Sequence, residues 1–437
     1  MIEIFGIFLQ FLIFLIIFTF PFTPKILNKY LTNDFNFSFI DSHAINIIFF
    51  CYCSLIISLT NIKLEIFFYI YLTLCLIFIT SRLKEYFLYI KKTNNITSYL
   101  FVLIGISLFI LIAQDLRLEW DGHFWLEKAL VFFNNESIEE IANTKVQPEY
   151  PHLGTYIWAF FWKNSLLQVE FFGRFFYIYF YLVSVFLIFG LLENKNIYIL
   201  ASLIIFFIIL TFDKYLFAGY QEYLIFSTLV VFSRFFVLVN FDKKSNIKFI
   251  TLLILILFLP SWFKKEGLIY YGIFSATLIY YLKYSLKTKI LLSLFLILLF
   301  IFHYLVYNFI VNNYNFNTYL NLNIIINNVI NVDLLVERTF KIILHFIIAF
   351  LKYPFWIIIM ISFYLNLFLF KANKNILIYF LYCGIFNFLF LFSIFFTFEN
   401  LDFMLRLALD RLIFQTSGFY SVLFILLLNQ KNLTNLR

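Results

Sequence analysis

Charged residues are scarce in this sequence. Asp, Glu, Lys and Arg make up only 13% of its 437 residues, whereas 63% are hydrophobic and the mean hydropathy is +0.93. A soluble chain would carry about 25% charged residues and would show polar helix faces. The apolar runs also lack the two-residue alternation of an outer-membrane barrel. The composition therefore predicts an all-α protein, a polytopic bundle of transmembrane helices.

The sequence also lacks the motifs of several enzyme classes. Its four cysteines all lie within apolar segments, so neither a disulfide framework nor a zinc spacing is present. P-loops, Gly-rich dinucleotide fingerprints and nucleophile elbows are absent, which argues against a nucleotide as the direct energy source. His123 beside Asp121 lacks a third metal ligand at a definite spacing. We expect no cofactor and no metal site. The sequence does not exclude dependence on a divalent metal ion.

Apolar runs of spanning length recur from end to end and predict about 13 spans. The predicted spans cover residues 4–21, 44–60, 64–81, 99–114, 168–192, 196–212, 216–239, 247–262, 267–282, 288–311, 353–370, 375–397 and 412–429. The first run has no basic start and no small-residue cleavage site, so we expect a retained span rather than a signal peptide. The segment 312–352 is ambiguous between an interfacial helix and a further span.

The net charge of +8 indicates membrane topology rather than a nucleic-acid partner, because the basic residues of the short loops fall on one side. These residues are Lys25, Lys29, Arg82, Lys84, Lys91, Lys92, Lys195, Lys243, Lys244, Lys248, Lys283, Lys287, Lys289, Lys371, Lys374, Lys431 and Arg437. The positive-inside rule then predicts an integral protein of the cytoplasmic membrane, with its N-terminus outside and its C-terminus in the cytoplasm. Polar stretches at 115–167, 213–220, 262–266, 312–352 and 398–411 should share the outer face, where we expect the functional surface.

The segment EWDGHFWLEKAL, residues 119–130, directly follows an apolar span and retains several charges. On a helix, Asp121, Trp125 and Lys128 share one face because they are spaced i, i+4 and i+7. Asp121 could then act as a general base that takes a proton from an acceptor as it attacks a sugar carbon. An ordinary interfacial helix with tryptophan anchors explains the pattern equally well. A second interfacial helix is predicted at 152–162.

Other polar residues lie at or near the same predicted boundary. They are Tyr150 and His152, Glu170 and Arg174, and Tyr220 and Glu222. The simplest interpretation of Glu170 and Arg174 is a helix-surface ion pair worth about 0.3–0.5 kcal/mol.

Lysines in a very short outer turn go against the positive-inside bias. Lys264 and Lys265 stand in such a turn beside Glu266, and Arg411 precedes the last span. A phosphate would account for these cations, because Lys neutralises a phosphate and Arg can bind one through two N–H groups. We expect Lys265 and Arg411 to bind the phosphate of a lipid carrier. A snorkelling arginine at a helix end is the simpler alternative for Arg411.

From about residue 99 to 430, the order of these motifs resembles the GT-C superfamily of integral-membrane glycosyltransferases, in particular the bacterial protein mannosyltransferase and aminoarabinose transferase groups. The similar segments are WDGHFWLEKAL, EYPHLGTYIWAFFW, VEFFGRFF, AGYQEYL, KKEGL and LDRLIFQTSGFY. The resemblance implies a membrane catalytic domain at 99–437, preceded by extra spans and a cytoplasmic loop at 1–98, together forming one structural unit. It also implies transfer of a sugar from a polyprenyl-phosphate donor to a glycan, lipid or protein acceptor outside the membrane.

The resemblance further implies roles for single residues, with Asp121 as the first-loop acidic residue. The residues expected to bind substrate are Trp125, Lys128, Tyr150, His152, Arg174, Tyr220, Glu222, Lys265, Glu266 and Arg411. One departure is Gly122, which stands where many members carry a second acidic residue. Two other classes stay open: an O-antigen-type polymerase or ligase, and a lipid-linked glycan transporter or flippase, which should place charges within its spans.

Overall fold

A computed structural model describes residues 2–31, 37–85, 96–113, 117–119, 121–145, 147–190, 197–212, 217–239, 246–311, 326, 328, 330–368, 374–397 and 400–428. All regular elements within these ranges are helices, and these ranges contain no strand. The prediction of an all-α protein is therefore confirmed.

Eighteen α-helices are described, and we number them in chain order. They are α1 Ile2–Ile17, α2 Pro24–Tyr30, α3 Phe39–Ser58, α4 Leu64–Ser81, α5 Ile96–Ala113, α6 Asp121–Phe133, α7 Leu153–Lys163, α8 Phe171–Phe189, α9 Ile197–Thr211, α10 Glu222–Phe236, α11 Ile247–Phe258, α12 Glu266–Tyr281, α13 Leu286–Val311, α14 Val332–Lys352, α15 Pro354–Phe368, α16 Lys374–Thr397, α17 Leu401–Tyr420 and α18 Val422–Leu428. Two short 3-10 helices, Ile138–Asn143 and Leu259–Trp262, lie between them.

Six helical segments among the described residues are long and apolar enough to cross a bilayer. They are α3, α4, α8, α13, α16 and the run formed by α17 and α18. A seventh is added if α14 and α15 count as one span, but these helices meet at 88°. Pro354 opens α15 at this bend, where proline disfavours helical backbone in the residue before it. The structure thus supports a multi-pass membrane protein, while the figure of about 13 spans stays a prediction.

The centre of the bundle is formed by α8 and α10, whose side chains are almost all buried. Helix α10 packs against α8 on one side and against α17 on another. Gly418 permits the second contact, because a Cβ there would lie 2.2 Å from the carbonyl oxygen of Phe226. The close packing fixes the position of α17 relative to the first residue of α10.

The helix expected to carry Asp121, Trp125 and Lys128 and the helix predicted at 152–162 are present as α6 and α7, and they pack on one another. Nine of the eleven residues of α7 are buried, because α3, α4, α6 and α8 all contact it. Helix α7 is therefore enclosed by protein, and its location in a membrane interface stays a prediction. These contacts also join residues 1–98 to the later part of the chain.

Candidate functional site

Four charged side chains from separate parts of the chain meet at one end of the bundle. Asp121 opens α6, Glu222 opens α10, Lys264 precedes α12, and Arg411 lies in α17. We call this set the four-charge cluster. It contains two carboxylates and two cations, so its formal charges balance.

Arg411 joins the two carboxylates of the four-charge cluster. Its Nη1 lies 2.7 Å from Oδ2 of Asp121, and its Nη2 lies 2.8 Å from Oε1 of Glu222. The same oxygen of Glu222 accepts a hydrogen bond from Nζ of Lys264 at 3.0 Å. The guanidinium also lies 4.6 Å from the ring centre of Tyr220, within cation–π range. Arg411 and Glu222 therefore each share their charge between two partners.

Burial differs sharply across the four-charge cluster. The side chain of Glu222 is fully buried, whereas 34% of the Asp121 side chain is exposed. The second carboxylate oxygen of Glu222, Oε2, is buried and has no hydrogen-bond partner among the described residues. A buried carboxylate is costly unless cations neutralise it, which Arg411 and Lys264 do here. Asp121 is thus the most exposed member of the four-charge cluster, followed by Arg411.

Two glycines bring Asp121 to this position. A Cβ on Gly122 would lie 2.1 Å from the carbonyl oxygen of Ala218, so the first turn of α6 touches the backbone of the turn before α10. Gly219 has φ 103°, a conformation that favours glycine. The close approach places Asp121 beside the start of α10. It also explains why a second acidic residue cannot follow Asp121, since no side chain fits at position 122.

Lys128, Tyr150 and Lys265 form a neighbouring group. Nζ of Lys128 donates to the carbonyl oxygens of Gln147 at 2.6 Å and of Tyr150 at 3.0 Å. It also lies 5.4 Å from the ring centre of Trp125, as expected for residues that share a helix face. Burial lowers the pKa of Lys128 to about 7, although the nearby acidic residues raise it. Lys128 therefore holds the loop before α7 against α6.

Lys265 belongs to this neighbouring group rather than to the four-charge cluster. Its Nζ lies 3.2 Å from Oε1 of Glu149 and 5.0 Å from the ring centre of Tyr150. Burial lowers the pKa of Lys265, whereas Glu149 acts in the opposite direction. The structure thus joins Lys264 with Arg411 through Glu222, although the sequence singled out Lys265.

His152 has a structural environment. Its side chain is fully buried, and Nε2 lies 2.8 Å from Oγ of Ser58. Nδ1 lies 3.2 Å from the hydroxyl of Tyr307, which also accepts the backbone N–H of His152. Burial lowers the pKa of His152 to about 3, so the ring is neutral at ordinary pH. The hydrogen bonds of His152 therefore connect α3, α7 and α13.

Arg174 and Glu266 flank the four-charge cluster in different ways. Arg174 forms two hydrogen bonds of 2.7 Å with Glu170 and donates to the carbonyl oxygen of Phe217 at 3.2 Å. The expected ion pair is present, but it is not a surface pair, because only 1% of the Arg174 side chain is exposed. Arg174 also supports the turn before α10. Glu266 lies 3.8 Å from Lys264, and its buried Oε2 has no hydrogen-bond partner among the described residues.

A cavity of about 410 Å³ borders Arg411 and Tyr220. Its polar side carries Arg406, Lys352 and Asp410, so three cations face one carboxylate, and Lys352 and Asp410 lie 2.6 Å apart. The remaining lining is mainly apolar and aromatic: Leu210, Thr211, Phe212, Tyr353, Phe355, Trp356, Leu407, Phe414 and Ser417. We call this the basic cavity. Its composition suits a molecule with an anionic head and an apolar body.

Sequence reasoning passed over three residues that the structure places in or beside the site. Glu149 pairs with Lys265, while Lys352 and Arg406 line the basic cavity. Lys352 and Arg406 lie in the predicted outer stretches, so their location could have marked them. The approach of Lys352 to Arg411 depends on how α14 packs against α17, whereas Arg406 lies on α17 itself, five residues before Arg411.

The described residues contain no group of three or more His, Cys, Asp or Glu side chains that could hold a metal ion. Comparison with family models, curated proteins and solved structures finds no match for this chain.

Proposed function

We propose that the protein is a membrane glycosyltransferase of the GT-C type. It moves a sugar from a polyprenyl-phosphate donor to a glycan, lipid or protein acceptor on the outer face of the cytoplasmic membrane. The observation that carries this proposal is the contact between Asp121 and Arg411 at the edge of the basic cavity. A base and a phosphate-binding cation stand side by side there, as sugar transfer from a lipid phosphate requires.

The basic cavity supports the choice of a lipid phosphate as donor. Its excess of positive charge attracts an anion, and Arg411 offers several N–H groups in a planar fork that matches phosphate oxygens. Its aromatic and aliphatic lining can receive the first apolar units of a polyprenyl chain. A free sugar or a nucleotide would leave this apolar surface without a partner.

The geometry also suggests the order of events. While Asp121 is bonded to Arg411, the guanidinium occupies its Oδ2 at 2.7 Å and competes with an acceptor hydroxyl for that oxygen. A phosphate that enters the basic cavity competes for the same guanidinium and releases Asp121. The base then becomes active only after the donor has bound.

The transfer step follows from these positions. The acceptor hydroxyl gives its proton to Asp121 while its oxygen bonds to the sugar carbon that is attached to phosphate. The bond between that carbon and the phosphate oxygen breaks, and polyprenyl phosphate leaves with the electron pair. Arg411 and the other cations of the basic cavity stabilise the negative charge that develops on the leaving group.

The proposed topology has about 13 spans, with the N-terminus outside and the C-terminus in the cytoplasm. It places the four-charge cluster and the basic cavity outside the hydrocarbon core, where a lipid headgroup would reach them.

A lipid-linked glycan transporter is the second candidate, because one ion pair is buried elsewhere in the bundle. Asp41 of α3 and Arg234 of α10 lie 2.8 Å apart, and both are buried. Charges along a pathway are expected of a transporter. Asp41 also completes a capping box with Ser38 at the start of α3, so helix capping accounts for its presence.

Donor binding tests the proposal. The purified protein in lipid nanodiscs should bind a polyprenyl phosphate more tightly than the neutral polyprenol. Arg411→Ala should weaken phosphate-lipid binding by about 1.5–3 kcal/mol and leave polyprenol binding unchanged.

Lys341→Ala is the matched control, because Lys341 is a cation of α14 that pairs with Glu337 and Asp402 away from the basic cavity. It should leave both affinities unchanged. Equal affinity for the two lipids in the wild type, or equal losses in the two variants, would contradict the phosphate site.

A further inference from the structure

A second cavity, of about 240 Å³, opens between the α3–α4 turn, the end of α6 and the first turns of α7. It lies beside Phe132, eleven residues along α6 from Asp121, which corresponds to about 16 Å of helix. The cavity is smaller than the roughly 300–1,000 Å³ of pockets that hold drug-sized ligands. It therefore suits one small ligand and is separate from the basic cavity.

The polar groups of this cavity are mostly uncharged. Asn61 and Ser137 contribute an amide and a hydroxyl group, and the hydroxyl of Ser137 does not cap the 3-10 helix that follows it. Lys63 and Glu136 are its two charged residues, and their charges cancel. Such a lining offers hydrogen-bond donors and acceptors without a net charge. An ionic ligand would find no excess of opposite charge.

Tyr156 gives an independent sign of a ligand. It lines the cavity, only 2% of its surface is exposed, and its hydroxyl has no hydrogen-bond partner among the described residues. A buried hydroxyl without a partner costs about 1–3 kcal/mol. Burial also raises the pKa of Tyr156, so the phenol keeps its proton and can donate. Its ring packs edge-on against Phe132 at 5.0 Å, which gives the cavity an aromatic wall.

The walls of the cavity are held in place by contacts behind them. The Oδ1 of Asn135 accepts the backbone N–H of Leu64 at 3.3 Å, and its Nδ2 donates to Glu65 at 3.3 Å. These bonds join the end of α6 to the start of α4. On the other side, Ser58 lies 2.8 Å from the buried ring of His152. A ligand can therefore bind without first ordering these elements.

We infer that this cavity binds a single neutral sugar unit, a hexose or an N-acetylhexosamine. Hydroxyl and amide groups pair with the ring hydroxyls, and Phe132 and Tyr156 cover an apolar face of the sugar. Lys63 and Glu136 lie at the ends of helices exposed to solvent, where a glycan could continue outward. The inference concerns binding alone and does not depend on transfer from a lipid phosphate.

The test is saturation-transfer NMR with the full chain in nanodiscs, which avoids detergents with sugar headgroups. The probes are glucose, galactose, mannose and N-acetylglucosamine, and at least one should receive saturation from the protein. Tyr156→Phe removes one hydroxyl and should weaken binding by about 2- to 12-fold, the loss of one hydrogen bond. Asn61→Ala changes an exposed turn residue and should weaken binding without affecting the fold.

Tyr69→Phe is the matched control, because Tyr69 lies on the exposed side of α4, outside the cavity. It should leave sugar binding unchanged. No saturation of any of the four sugars, or equal affinity in the wild type and both cavity variants, would overturn the inference. Failure of polyprenyl-phosphate binding with intact sugar binding would instead count against the proposed function alone.

Discussion

Two groups of buried charges lie at opposite ends of α10, and they share their charges differently. At one end, Asp41 is the one carboxylate that pairs with Arg234 among the described residues, with contacts of 2.8 and 3.1 Å between two atom pairs. At the other, Glu222 faces two cations and Arg411 faces two carboxylates. A pair with matched partners satisfies its own charges and stabilises the fold. A shared cluster beside a cavity can change partners when an anion enters, which is the behaviour that binding and catalysis require.

The largest expected difference between the two ends is in stability. Asp41→Asn leaves Arg234 buried without a counter-charge and should lower the free energy of unfolding by about 3–5 kcal/mol. The matched change Asp121→Asn should cost less than about 1 kcal/mol, because Asp121 is one-third exposed. Unfolding of both variants in nanodiscs, followed by circular dichroism, measures the two losses. Similar losses would remove the distinction between a structural pair and a functional cluster.

A smaller effect is expected where the backbone of α6 touches the turn before α10. Gly122→Ala adds a Cβ that would clash with the carbonyl oxygen of Ala218 and should cost about 1–3 kcal/mol. The displaced helix should also weaken donor binding, because Asp121 and Arg411 move apart. Gly272→Ala is the control, since a Cβ at Gly272 meets no atom within 4 Å and alanine favours helix. If Gly272→Ala lowered the free energy of unfolding as much as Gly122→Ala, the close contact between Gly122 and Ala218 would not be the cause of the loss.

A pH-dependent effect on stability is expected from Lys128, which holds the loop before α7. Its folded-state pKa of about 7 lies below the 10.5 of an unperturbed lysine, so the unfolded chain binds more protons between these values. Stability should therefore rise as the pH increases from 7 toward 10.5, by at most about 1.4 kcal/mol per pH unit. Lys128→Met has no proton to lose and should reduce this slope. Unfolding of the wild type and of Lys128→Met between pH 7 and 9 measures this slope. Identical slopes in the two proteins would contradict the lowered pKa of Lys128.

The sequence was sufficient to predict the helical class, the helices at α6 and α7, and the location of Asp121, Lys264 and Arg411 in separate polar stretches. It put Glu222 near the outer end of a predicted span. Asp121, Glu222 and Arg411 stand out because charge is rare in this chain and each lies at the end of an apolar run. Their convergence could not be predicted, because it depends on how α6, α10 and α17 pack. The order of the motifs indicated a resemblance to the GT-C superfamily but not the contacts among these residues.

The choice between Lys264 and Lys265 shows where sequence reasoning ends. The two residues are adjacent, and successive residues near a helix start point about 100° apart. Only the position of α12 decides that Lys264 reaches Glu222 while Lys265 reaches Glu149. His152 is a second example. The sequence predicted that it lies at a polar boundary, but its contacts with Ser58 and Tyr307 depend on how the helices pack.

The central claim is that Asp121 is a base which donor binding releases from Arg411. The most direct measurement is sugar transfer from a radiolabelled polyprenyl-phosphate donor in membranes that contain the wild type, Asp121→Asn or the control Asp402→Asn. The control changes an exposed carboxylate that pairs with Lys341. Asp121→Asn should lower transfer by about 10²–10⁴-fold while polyprenyl phosphate still binds, and the control should transfer normally. Transfer by folded Asp121→Asn at the wild-type rate would contradict the account.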